Sequence, residues 1–204
     1  MAGGEARTRT GTDRLLSLGT PSVAAAALTA TVAVYMVLVA FGNITDFDTN
    51  RQFVRHVLAM DTTFEDPDLM WRAIESPALQ DAAYVAIIVW ETLTALVLLL
   101  AAWLWVAGLR GGGHDRARRA STLGLVMVLL LFGLGFFAIG GEWFAMWQSS
   151  DWNGLDAAAR NVMLAAFALV VVNLPARSGG DRRPASPPDV TAADVTAADE
   201  ERAG

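Results

Sequence analysis

Four long apolar blocks decide what this chain can fold into before any other feature is weighed. They cover residues 22–42, about 82–109, 121–141 and about 155–174. Each approaches or exceeds the roughly 20 residues that a helix needs to cross about 30 Å of hydrocarbon. None alternates with period two, so strands are not the reading. Composition agrees: 54% of the 204 residues are hydrophobic, only 18% are charged, and mean hydropathy is +0.40. Soluble domains are about a quarter charged. The expected fold is all-α: a polytopic membrane protein, a four-helix transmembrane bundle with a helical outer loop over residues 43–81.

Arginine placement orients the expected bundle. Eleven arginines fall in an N-terminal arm (residues 1–21, with Arg7, Arg9 and Arg14), the loop between spans two and three (Arg110, Arg116, Arg118, Arg119), and the tail (Arg177, Arg182, Arg183, Arg202). Four fall on the other side, namely Arg51, Arg55, Arg72 and Arg160. Basic loops stay cytoplasmic, so both termini are expected inside a bacterial inner membrane. The first block is too long for a signal-peptide core and lacks a small-x-small cleavage pattern, so it is expected to remain as a span. Trp71, Trp143, Trp147 and Trp152 then fall at the outer boundary and Trp103 and Trp105 at the inner one. The Pro/Ala/Asp-rich tail, residues 175–204 with a doubled Val-Thr-Ala-Ala-Asp, is expected to be a disordered cytoplasmic segment.

Several chemistries are excluded outright. The chain has no cysteine, and all fifteen basic residues are arginine. Disulfides, thiolate catalysis, iron–sulfur clusters and lysine Schiff bases are therefore impossible. Two histidines, His56 and His114, leave little for a multi-histidine metal centre. No cofactor is expected, and no nucleic-acid partner; the net charge of −6 arises mainly from acids in the outer loop and tail.

The outer loop is too long and patterned for a plain connector. Phe53, Val54, Val57 and Leu58 share one face of a helix capped by Asp48 or Thr49, suited to lie on the membrane or the bundle. Asp66-Pro67 and Ser76-Pro77 each read as a cap followed by proline at the first helical position. Asp46, Asp48, His56 and Asp61 are weak metal-ligand candidates, since their spacing matches no known cation loop. Asp46, His56, Asp61, Trp71 and Arg72 mark a candidate ligand or partner site.

Three charges lie near or inside the spans. Glu91 interrupts span two, about 21 Å above Trp105 at 1.5 Å per residue. Tyr84, Thr94 and Ala95 share its face, so that face should point into the bundle. Glu142 ends span three, and Arg160 sits near the start of span four. Glu91, Glu142 and Arg160 are expected to form one linked charge network, either a ligand- or proton-binding cavity or a pair that fixes register. Ala26, Ala30, Ala33, Val37 and Ala40 on span one, and Gly133, Gly140 and Gly141 on span three, are expected packing seams.

The stretches Asn43-Ile44-Thr45-Asp46, Phe53 through Phe64, Trp71-Arg72-Ala73-Ile74, Glu91, Gly140 through Ser149, and Trp152-Asn153-Gly154 resemble the bacterial family described as predicted small integral membrane proteins. The resemblance covers roughly residues 24–174. It implies a four-span inner-membrane protein and brings no established activity. The expected function is that of a non-enzymatic accessory, assembly or sensing subunit, with lipid around it and a membrane-protein partner or homo-oligomer. A proton- or cation-coupled transporter using Glu91 is the alternative. A lipid- or quinone-directed enzyme using His56, Asp61 and Glu142 is a third.

Overall fold

The computed structural model describes residues 19–108 and 114–175, and no strand occurs among them. The N-terminal arm through residue 18, residues 109–113 with the glycine run, and the tail beyond Pro175 lie outside the described residues. Among the described residues there are five α-helices: α1 (Pro21–Thr45), α2 (Phe47–Ala59), α3 (Pro77–Gly108), α4 (Asp115–Leu129) and α5 (Leu155–Asn173). From Leu130 to Trp143, α4 continues as a wider π-helix. Counting α4 with that continuation, four helices among the described residues are long and apolar enough to cross a membrane.

Local chemistry sets the ends. The Thr20 hydroxyl accepts from the Val23 N–H at 3.3 Å, with Pro21 at the first helical position. Pro77 opens α3 directly after Ser76, as expected. At the far end of α5, Arg118 Nη1 donates to the carbonyls of Val172 (2.8 Å) and Leu174 (2.7 Å), which the helix itself leaves unpaired.

The long helices close a ring in which α1 packs on α3, α3 on α4, α4 on α5 and α5 on α1. Small side chains line the seams: Ala25, Ala33, Ala40, Ala95, Ala165 and Ala168 are all buried. Leu38, Leu96, Phe167 and Val170 point outward instead. This small-inside, large-outside pattern is what helix association in lipid favours. Polar pairs clasp the seams at depth. Thr29 donates to Ser121 at 3.1 Å, Trp105 Nε1 donates to the same hydroxyl at 2.9 Å, and Tyr35 donates to Asn161 at 2.7 Å.

Three expectations need correction. Trp105 is not an interfacial anchor; it is fully buried, because the Ser121 hydroxyl gives its indole N–H a partner inside the bundle. The span-one seam is rotated. Its buried face is Ala25, Thr29, Val32, Ala33, Met36 and Ala40, and Ala26, Ala30 and Val37 are only half-buried. Along span three Gly140 and Gly141 are buried against Met146 and Leu155, but Gly133 faces open space, and the tightest approach is at Gly124, where an added Cβ would lie 2.6 Å from the Leu98 side chain.

Candidate functional site

The chemistry of this chain concentrates in a cap at one end of the bundle, built from residues 43–81 and 142–154. Helix α2 follows α1 after a break at Asp46 and packs against the first turns of α3. Phe47 meets Tyr84 at 4.8 Å between ring centroids. Arg51 Nε donates to Asp81 Oδ1 at 2.7 Å, and Arg55 reaches the same carboxylate at 3.1 and 3.2 Å. At 32 residues, α3 is about 48 Å long. That exceeds about 30 Å of hydrocarbon, and Asp81, in the second turn of α3, precedes the apolar block that begins at about residue 82. The Arg51 hydrogen bond, then that of Arg55, hold the Asp81 carboxyl well below its ordinary 3.8.

Met60 ends α2 in the left-handed conformation (φ 55°) and turns the chain back. It is buried with Phe144 and Ala145 in a small second core, against which Val57, Leu58, Met70 and Ile74 pack. Ala145 is left-handed as well (φ 51°). Non-glycine residues held there carry strain of about 1–2 kcal/mol each. Hydrogen bonds tie the two halves of the cap together. Thr62 and Ser149 hydroxyls lie 2.8 Å apart and the Phe64 N–H donates to Gln148 Oε1 at 3.0 Å, while within the first half the Ile74 N–H donates to the Leu58 carbonyl at 2.8 Å.

Two clusters stand on this frame. His56 Nδ1 is 2.8 Å from Asp61 Oδ2, and its ring stacks on Trp152 at 4.6 Å with 15° between planes. The Arg72 guanidinium lies 5.0 Å from the Trp143 ring and 5.6 Å from the Trp71 ring, and the two indoles meet edge to face. A guanidinium between indoles is held by the negative faces of both rings. Trp71, Phe64 and Trp147 are 69%, 70% and 51% exposed despite the fixed frame beneath them.

The expected site residues thus separate into groups. His56 joins Asp61, and Trp71 joins Arg72, but Asp46 stands apart at the α1–α2 break, where its carboxylate accepts from Thr49 at 2.8 Å. Asp48 sits near Arg51 at 3.7 Å. Asp46, Asp48, His56 and Asp61 do not converge, and no group of three His, Asp or Glu able to hold a metal occurs among the described residues.

The network of Glu91, Glu142 and Arg160 does not form. Glu142 and Arg160 are both exposed, and no ion pair joins any of the three among the described residues. Depth and face separate them. Arg160 lies within two turns of the start of α5, close enough to the boundary for a long side chain to reach water. Glu142 sits at the cap rim. Glu91 faces α1, where it is 2% exposed and accepts from Asn43 Nδ2 at 2.6 Å. Its expected face is buried throughout, with Tyr84 at 1%, Thr94 at 0% and Ala95 at 4%. Tyr84 donates to the Asn43 carbonyl at 2.9 Å, which completes a small polar knot.

Asn43, Asp81 and Trp152 are the partners that sequence reasoning missed. Position offered a signal for two of them: Asn43 is the first residue past block one, and Asp81 the last acid before block two.

No curated protein and no solved structure matches this chain. A family model does match, over residues 22–175, which takes in the cap and all four membrane helices. This chain belongs to the family described as predicted small integral membrane protein (DUF2165).

Proposed function

We propose that this protein is a non-enzymatic accessory, assembly or sensing subunit of the inner membrane, with cytoplasmic termini and the cap facing outward. The observation that carries this reading is the combination of rigidity and exposure in the cap. Side-chain hydrogen bonds cross-tie it at Thr62–Ser149 and Phe64–Gln148, yet Phe64, Trp71 and Trp147 remain more than half exposed. Exposed aromatics with an arginine among them are the residue types enriched at protein–protein contacts. The cap engages a partner through this aromatic rim. Purification in mild detergent followed by native mass spectrometry tests the reading. A stoichiometric partner that is lost in the Phe64→Ser/Trp147→Ser double variant supports it. A bare chain from the wild type removes it.

A second reading rests on the buried Glu91–Asn43 contact. A carboxyl with one amide donor and no cation beside it among the described residues is a site able to take up and release a proton. Proton flux into liposomes that Glu91→Gln abolishes supports transport. Flux that matches protein-free liposomes removes it.

A further inference from the structure

Below the cap, α3 and α4 part. In the α-helical half of α4 they pack tightly, with Gly124 against Leu98. Beyond Leu130 the π-helix makes few contacts with α3. A cavity of about 330 Å³ opens there, closed on a third side by α2. Fourteen residues line it, and none has a polar or charged side chain. Gly135 and Gly140 contribute bare backbone to its wall, and Phe53 and Phe136 face each other at 6.3 Å.

The cavity's position indicates what stands outside it. Ala86 and Ile139, both exposed, lie on its lining and belong to two membrane-crossing helices, so its mouth opens between them. One turn deeper on α3, Trp90 Nε1 reaches across to the Met127 carbonyl at 3.0 Å and bridges the crevice below. Trp143 and Trp147, at the cap above, are residues of the headgroup level. The mouth therefore faces the hydrocarbon just under the headgroups on the cap side. Folded proteins leave few voids larger than a water molecule. A volume far above the roughly 10–15 Å³ that one water needs, with no polar side chain to hold water, is not a hydration site. It falls at the lower end of the range for ligand pockets, about 300–1,000 Å³.

We propose that this cavity binds one acyl chain of a phospholipid from the leaflet on the cap side, the headgroup remaining outside at the level of the tryptophans. The assignment goes beyond the accessory-subunit reading and does not depend on it. The π-helix supplies the room and α2 the roof, so a bound chain touches the helix that carries His56.

The full chain in nanodiscs of phosphatidylethanolamine and phosphatidylglycerol, released into detergent and read by native mass spectrometry, provides the test. The wild type is expected to retain one phospholipid at collision energies that strip all others. Gly135→Leu should lower the retained fraction about tenfold; a Cβ there meets nothing closer than 3.9 Å, and the rest of the side chain has the cavity to occupy. Ala86→Phe at the mouth should do the same, and it carries the test if Gly135→Leu fails to fold. Leu38→Phe, on an exposed face of α1, should change nothing. A wild type that retains no lipid, retention equal across all variants, or a retained detergent molecule or second copy in place of lipid overturns the assignment.

Discussion

Glu91 and Arg160 show how little a residue's type reveals until its face is known. Both are ionisable groups within apolar helices, yet Glu91 is sealed against α1 and Arg160 is exposed. Asn43→Ala should destabilise the protein by about 1–3 kcal/mol, because it leaves a buried carboxyl without its donor. Glu91→Gln keeps an oxygen for Asn43 and should be milder. Arg160→Ala should fall within about 0.5 kcal/mol of the wild type. Thermal unfolding in detergent measures all three, and a double-mutant cycle should find coupling for Glu91 with Asn43 and additivity for Glu91 with Arg160. A loss for Arg160→Ala as large as that for Asn43→Ala would restore the three-residue network. The buried face of Tyr84, Glu91, Thr94 and Ala95 was legible from helical spacing alone. The partner was not, because it depends on which helix lies opposite and at what height.

At the scale of single elements, two attachments make contrasting predictions. Helix α2 is held to α3 by Arg51 and Arg55 on Asp81. The folded carboxyl is lowered from its ordinary 3.8, so its contribution is fully present above about pH 4. It is lost progressively as pH falls toward the lowered folded value. Protection of the α2 amides, taken relative to their intrinsic exchange rates, should therefore fall below pH 4, and Asp81→Asn should show the lower protection already at pH 7 with no further acid dependence from this site. An unchanged acid profile in Asp81→Asn would assign the effect elsewhere. On α4, Gly124→Ala should cost about 1–3 kcal/mol, since the new methyl overlaps the fully buried Leu98. Gly133→Ala should be close to neutral in the same unfolding assay, since no atom lies within 4 Å of its added Cβ. Helix α2 itself was readable from the spacing of Phe53, Val54, Val57 and Leu58. The π-helix from Leu130 was not: its glycines suggested a seam, and hydropathy does not distinguish a four-residue from a five-residue hydrogen-bond step.

For the whole molecule, the two ends differ in kind: a cross-tied cap of short helices and turns at one, and the α5 terminus clasped by Arg118 at the other. The proposed outward cap gives a direct prediction, made simple by the absence of cysteine. Asp68→Cys should react with a membrane-impermeant maleimide in intact cells, and Arg116→Cys only after permeabilisation. The reverse pattern inverts the topology. The sequence by itself determined that the chain is helical, that four helices cross a membrane, and that its chemistry gathers near the loop between the first two. Those properties follow from one-dimensional sums, namely apolar length against bilayer thickness and the period of polar residues along a helix. Tertiary structure alone decided that Glu91 meets Asn43 rather than Arg160, that Trp105 is core rather than anchor, and that α3 and the π-helix part to leave an apolar cavity. Each of these depends on the rotation and height of one helix against another. Those are set by small-residue seams such as Gly124 on Leu98, contacts between residues far apart in the chain that no local pattern records.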